Sequence, residues 1–382
     1  MKINNRIAMI EQYHFKRMDN IKNRLLSEGK EIFDFGIGDP DLELHPSIKN
    51  ALVESLSYKH INKYPPYEGI LPLKEKIIKY YKKVYNVDLD TNEIIILIGS
   101  KEGISNIFPA VCDINDYAII PQPGYPVYET CSKLWGVIPY KMPLIESQGY
   151  YPRLDIIPES ISKIAKLMII NYPNNPTGAV LNSDFLSKVK AFSEKYNIVL
   201  CNDNAYNEIL NPEIEPLSIL MGGKNNCIEF GTFSKSFNMT GFRIGYAVGD
   251  KSIIEALLKI KSNTDSGQFM PIQYSAIAAL SLGEDYLEKI KKIYNQRRIV
   301  LENILMEKNI SFFKGKGTFY CWCNVPQKYT TDEFCEELLY KSSIVVTPGY
   351  VFGKIGYNHF RISLTQNEDT IERAFSKIDI YY

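Results

Sequence analysis

Four short segments of the chain group side chains that can do chemistry together. In Asn171-Tyr172-Pro173-Asn174-Asn175-Pro176-Thr177-Gly178, two prolines and a glycine favour a rigid turn that would hold the Asn175 amide in one orientation. In Asp203-Asn204-Ala205-Tyr206, a carboxylate closes an apolar run. That is where open α/β sheets place their ligands, although such a group serves equally well to cap a helix. Gly231-Thr232-Phe233-Ser234-Lys235, with Arg243 eight residues beyond the lysine, gathers two hydroxyls, an amine and a guanidinium. That set suits a phosphate held beside a reactive amine. Gly99-Ser100-Lys101-Glu102-Gly103 would turn its amides toward an anion at a helix N-terminus.

Each segment follows a predicted strand. The runs Ile94–Ile98, Ala118–Ile120, Leu167–Ile170 and Ile198–Leu200 are short, mostly β-branched and bounded by turn residues, as strands buried on both faces read. Their alternation with amphipathic stretches from Glu93 to Asp250 predicts an α/β layer with a largely parallel sheet. The spacing of Leu73, Ile77, Tyr80, Tyr81 and Val84 predicts a helix over Leu71–Val84, with Pro72 in its first turn and Lys76, Lys79, Lys82 and Lys83 on a solvated face. A long helical region, Lys251–Lys308, follows. Beyond it, strands at Thr318–Val325, Ile344–Val346 and His359–Leu364 mix with helices near Thr331–Tyr340 and Glu368–Ile378, an α+β texture.

Composition excludes several classes. At 382 residues, two or three domains are expected from a prior of roughly 150 residues each. Lys+Arg and Asp+Glu both number 44, so the chain lacks the net field of a non-specific nucleic-acid binder. The first residues carry no continuous apolar core of a secretory signal, and no run reaches the roughly 18 apolar residues of a membrane span. A cytoplasmic protein binding neither membrane nor nucleic acid is therefore expected. The odd count of seven cysteines fits reduced thiols. Cys321-Trp322-Cys323 is expected to be a packed strand, because a zinc site would need two further ligands at suitable spacing. No H-E-x-x-H or G-x-S-x-G occurs, and no metal is expected.

In this order and spacing the four segments resemble the class I/II aminotransferases of the aspartate aminotransferase fold, and the likeness covers essentially the whole chain. It implies fold type I of the pyridoxal 5′-phosphate (PLP)-dependent transferases: α/β, with a large domain on a mostly parallel sheet flanked by helices, and a small α+β domain. The expected boundaries are 1–45 for an N-terminal arm and part of the small domain, 46–280 for the large domain and 281–382 for the small one. The resemblance makes Lys235 the Schiff-base lysine, which also carries a proton and must spend part of the cycle as the free amine. A cationic, partly desolvated pocket favours that form. Asp203 would partner the pyridine nitrogen, while Asn175 and Tyr206 would bond the ring's phenolic oxygen. Tyr125, in Pro123-Gly124-Tyr125-Pro126, would stack on the ring. Thr232, Ser234, Arg243 and the amides of Ser100 and Lys101 would hold the phosphate. Tyr64 would reach the phosphate of a partner subunit, implying a homodimer with shared active sites. Arg361, in Phe360-Arg361-Ile362-Ser363, would grip the substrate α-carboxylate with help from the Gly38 backbone.

Within the class, Arg6-Ile7-Ala8-Met9, Asn238-Met239-Thr240-Gly241 and Asp265-Ser266-Gly267 are similar to the LL-diaminopimelate aminotransferase family. That family exchanges an amino group between LL-2,6-diaminopimelate and 2-oxoglutarate, in lysine and cell-wall synthesis. No arginine lies between Arg243 and Arg297, where an aspartate-specific enzyme would supply a second one. A zwitterionic distal end would prefer mixed polar groups such as Tyr13, Lys101 and Glu102. Aspartate, alanine or aromatic aminotransferases, and a PLP-dependent C–S β-lyase, remain alternatives. The β-lyase would use the same lysine, aspartate and arginine without needing a keto acid to regenerate the cofactor.

Overall fold

In the computed structural model, which describes residues 4–10 and 16–378, thirteen strands, the seven expected runs among them, assemble into three sheets. In chain order the strands are β1 (Phe33–Asp34), β2 (Ile94–Leu97), β3 (Tyr117–Gln122), β4 (Ile138–Pro143), β5 (Ala165–Ile170), β6 (Val199–Asp203), β7 (Cys227–Thr232) and β8 (Gly245–Gly249). They are followed by β9 (Phe312–Phe313), β10 (Tyr320–Asn324), β11 (Ile344–Val345), β12 (Thr347–Pro348) and β13 (His359–Ser363). The central sheet has seven strands in the order β2-β8-β7-β6-β5-β3-β4. β8 runs antiparallel to both neighbours, and the remaining pairs are parallel.

The two-residue period of a strand explains why these runs are apolar throughout. Ile94 and Ile96 of β2 and Met168 and Ile170 of β5 enter one hydrophobic cluster, while Ile95, Leu97, Leu167 and Ile169 enter another on the opposite face. The first cluster takes in the helices Leu71–Tyr85, Ser183–Tyr196 and Met270–Leu280; the second takes in Ser100–Val111 and Lys251–Ser262. Leu73, Ile77 and Tyr81 of the first helix are buried, and Lys79, Lys82 and Lys83 are exposed, as the spacing predicted.

A third cluster draws on both chain ends. Phe33 and Phe35 pack with Leu301, Phe319, Phe360, Ile371 and Phe375. The parallel pairing of β1 with β11 explains how, since Phe33 lies opposite Ile344. The four-stranded sheet β12-β13-β10-β9 completes this layer. We propose the division 1–45, 46–280 and 281–382, since the third cluster takes only Tyr206 and Ile209 of its buried residues from 46–280. Cys321 and Cys323 lie on one face of β10, both buried, with their sulfurs 3.6 Å apart. Among the described residues, no helix is long and apolar enough to cross a membrane, and no group of three or more His, Cys, Asp or Glu could hold a metal ion.

Candidate active site

Strand direction brings the four segments together. β5, β6 and β7 are parallel and end on one edge of the sheet, which places Asn171–Gly178, Asp203 and Thr232–Lys235 side by side. Because β8 reverses direction, its first residue, Gly245, pairs with Thr232 on one side and with Leu97 on the other. Arg243 and Ser100 therefore reach the same edge. A cavity of about 730 Å³ opens there between the central sheet and the segments Gly36–Asp39 and Val345–Thr347. Its lining carries five cations (Lys22, Lys101, Lys235, Arg243, Arg361) against three carboxylates (Asp34, Asp39, Asp203), an excess suited to anionic ligands.

One end is built for a compact anion. The helix Ser100–Val111 starts here behind Gly99, whose φ is +77°. A Cβ on Gly99 would come within 2.7 Å of Arg243 Nη2, so glycine lets the guanidinium lie against the helix start. Arg243 itself is left-handed, φ +54°, and donates from Nη1 to the Thr240 carbonyl at 2.8 Å. Thr232 and Ser234 line the same end, and the Ser234 amide donates to Thr232 Oγ1 at 3.2 Å. A helix N-terminus, hydroxyls and a guanidinium converging in this way form an anion site.

At the centre stands Asp203, 5 % exposed. Its Oδ2 accepts from the Tyr128 hydroxyl at 2.7 Å, while Oδ1 is buried with no protein partner. Burial raises its pKa to about 6, opposed by the Tyr128 hydrogen bond and the charge of Lys235. An orphaned carboxylate oxygen facing a cavity calls for a cationic or N–H-bearing ligand atom. Asn171 joins this strand end to the neighbouring turn, donating from Nδ2 to the Asp203 carbonyl at 2.7 Å and accepting the Asn175 amide at 2.9 Å. Tyr125 lines the pocket and meets Tyr128 edge-on, with ring centroids 5.8 Å apart. Replacing Tyr128 by phenylalanine should remove the donor to Oδ2 and cost about 1–3 kcal/mol in denaturant unfolding of the ligand-free protein. Unchanged stability would show that the bond contributes nothing.

Arg361 forms the third corner. It is 6 % exposed, and its Nη1 donates to Asn175 Oδ1 at 2.9 Å and its Nη2 to the Gly36 carbonyl at 2.8 Å. Its guanidinium lies over the Tyr320 ring at 4.0 Å and the Phe352 ring at 4.8 Å, with Nε unpartnered. Among the described residues no carboxylate pairs with it, so it is not a strand arginine in a surface ion pair. A buried guanidinium left in this state suits a carboxylate ligand. Between these corners Lys235 Nζ donates to the Gly38 carbonyl at 2.6 Å. Tyr206 and Tyr320 share a hydroxyl hydrogen bond of 3.1 Å.

The pocket thus brings together Gly38, Ser100, Lys101, Tyr125, Asn175, Asp203, Tyr206, Thr232, Ser234, Lys235, Arg243 and Arg361. Tyr64 lies outside this lining and is 84 % exposed. Tyr13 lies outside the described residues. Glu102 corrects the sequence reading. It does not line the pocket but points into the protein, where Lys261 Nζ sits 3.1 Å from its Oε2. On the helix that starts at Ser100, the third residue turns back over the helix start and accepts the Ile98 amide at 2.6 Å. Sequence reading missed Tyr128, Tyr320, Thr347 and Phe352. Tyr128 alone carried a signal, one helical turn beyond Tyr125.

The fold and this site define an aminotransferase. The model of the aminotransferase class I and II family matches residues 30–378, and the chain belongs to that family. It is 39% identical to an LL-diaminopimelate aminotransferase of Aquifex aeolicus, over 99% of this chain and 98% of that protein. It is 40% identical to one of Natranaerobius thermophilus, over the full length of both. Among solved structures, substrate-bound BacF from Bacillus subtilis superposes with a TM-score of 0.93 at 33% identity, covering 99% of this chain and 97% of that one. A Thermus thermophilus aspartate aminotransferase, 23% identical with a TM-score of 0.92 and 99% and 98% coverage, shares the fold.

Proposed function

We propose that the protein moves an amino group between LL-2,6-diaminopimelate and 2-oxoglutarate with PLP as cofactor, in a ping-pong cycle serving lysine and diaminopimelate synthesis. The observation carrying the substrate is the 39–40% identity, over nearly the whole chain, to relatives of that name. The lack of any arginine between Arg243 and Arg297 agrees with it, because a distal end bearing both charges gains little from a lone cation.

The donor set fits the cofactor: an anion cradle at one end, an unpartnered Asp203 Oδ1 at the centre, an aromatic face from Tyr125 and an amine within the same cavity. When bound, PLP supplies an electron sink and a carrier for the amino group. The chain's residues do the rest. Ser100, Lys101, Thr232, Ser234 and Arg243 hold the phosphate, and Asp203 keeps a proton on the ring nitrogen. Asn175, with its Oδ1 engaged by Arg361, has its amide N–H left to donate, and Tyr206 adds a hydroxyl. Arg361 would fix the α-carboxylate with the Gly38 backbone beside it, and Lys235 Nζ, as the free amine, would take the proton from the substrate Cα and give it back when the amino group moves the other way. Lys101, with Tyr13, is assigned to the distal end. Tyr64 is assigned to the phosphate of a second subunit in a cytoplasmic homodimer, since a tyrosine so exposed has no use within its own pocket.

The test is a half-reaction screen, following the change in absorbance of the loaded protein as LL-diaminopimelate, glutamate, aspartate, alanine and aromatic amino acids are added. LL-diaminopimelate and glutamate should both react. A fast response to another donor with none to diaminopimelate would overturn the substrate assignment.

A further inference from the structure

Behind the anion end of the pocket, one buried ammonium connects three segments. Lys261, in the last turn of the helix Lys251–Ser262, is 1 % exposed. Its Nζ lies 3.1 Å from Glu102 Oε2 and 2.9 Å from both carboxylate oxygens of Asp265. Glu102 accepts the Ile98 amide, so it fixes the start of the helix that begins at Ser100. Asp265 accepts the Gly267 amide at 2.7 Å and so shapes the next loop. In that loop the Gln268 side chain donates to the Arg243 carbonyl. Gly267, φ +101°, packs on the segment after Tyr64, where a Cβ would come within 3.1 Å of Pro65 Cγ and 3.2 Å of the Pro66 carbonyl.

A buried ammonium held by two half-buried carboxylates costs desolvation that an apolar cluster would not, so such a group is poor evidence of stabilisation. Its directional, charge-assisted bonds instead fix the relative placement of the parts they join. Those parts are the helix start and the loop bearing on Arg243, whose left-handed backbone needs support from its neighbours. We infer that the Glu102–Lys261–Asp265 triad positions the phosphate cradle, holding the amides of Ser100 and Lys101 and the guanidinium of Arg243 at one spacing, while the same loop packs Gly267 against Pro65 and Pro66. Lys261 is thus a positioning residue for cofactor binding. The inference rests on the reading that the cradle takes the phosphate of PLP.

The sign of one substitution separates positioning from simple charge. Glu102, Lys261 and Asp265 together are negative, so Asp265→Asn would tighten phosphate binding if only their Coulomb field mattered. Positioning demands that it weaken. Dissociation constants of PLP and of pyridoxal, which lacks the phosphate, are measured by fluorescence titration of the purified protein and of the Asp265→Asn and Lys261→Met variants. PLP affinity should fall about tenfold or more, the scale of one lost charge-assisted hydrogen bond, with pyridoxal affinity unchanged. Unchanged or tighter PLP binding, or equal losses for both ligands, would overturn the inference. If Lys261→Met does not fold, Asp265→Asn decides alone, since it retains the Lys261–Glu102 pair. A wild-type protein that prefers PLP no more than pyridoxal would overturn the cofactor reading and this inference with it.

Discussion

Lys235→Ala is expected to lower turnover by about four orders of magnitude or more. A positioned proton carrier contributes up to roughly 10⁴-fold by itself, and this amine is also the nucleophile proposed to bind the cofactor covalently. Both proposed roles need the amine inside the pocket, and Nζ lies there, 2.6 Å from the Gly38 carbonyl, in the same cavity as Asp203 and Arg361. The side chain is half-buried, so its loss should leave the fold intact, which circular dichroism checks. Steady-state rates at saturating donor and 2-oxoglutarate provide the measurement. A small primary amine added to the alanine variant should restore part of the rate by carrying the proton through the space left behind. Lys235→Arg should stay inactive, because a guanidinium does not give up its proton near neutral pH. Turnover within tenfold of wild type in Lys235→Ala would remove this residue from the mechanism.

Asp203→Ala should cost roughly two to three orders of magnitude in turnover, the scale of losing one preorganised charge at a reacting centre. It should also change how stability depends on pH. Burial raises the Asp203 pKa from 3.8 to about 6, so the ligand-free folded state binds more protons than the unfolded state between those values. The contribution of this group to stability therefore falls as pH rises from about 4 to about 6, by up to about 3 kcal/mol. Above that range the carboxylate is charged and buried with Oδ1 unpartnered. A cationic N–H at Oδ1 would relieve that cost. The rise in melting temperature on adding PLP should thus grow as pH increases through about 6, and Asp203→Asn should abolish the growth. A PLP-induced shift with the same pH dependence in both proteins would mean that Asp203 does not face the ring nitrogen.

Much of this site was legible in the chain because its parts are local. A β-branched run followed by a polar turn is a strand reaching its carboxyl end, and Asp203, Asn175 and Thr232–Lys235 all stand at that point of β6, β5 and β7. Tyr320 and Phe352 could not be read in this way. They matter because β13 places Arg361 opposite Trp322 and Thr347, which turns its guanidinium onto those two rings. Glu102 was misread because a charged residue beside an anion site looks like a ligand group until its partner, Lys261, arrives from 159 residues away.

By itself, then, the sequence determined where four of the seven central strands run, the turns that close them and the types of side chain at those strand ends. Those follow from periodicity and backbone preference within a few residues. The tertiary structure decided which strand ends share an edge. The reversal of β8 sets Ser100 and Arg243 beside Thr232, and the pairing of β1 with β11 carries the Gly36–Asp39 segment to Arg361. It also left Asp203 Oδ1 and Arg361 Nε buried without partners. Burial and pairing between distant segments are properties of the packed molecule, and the chemistry of the pocket depends on them.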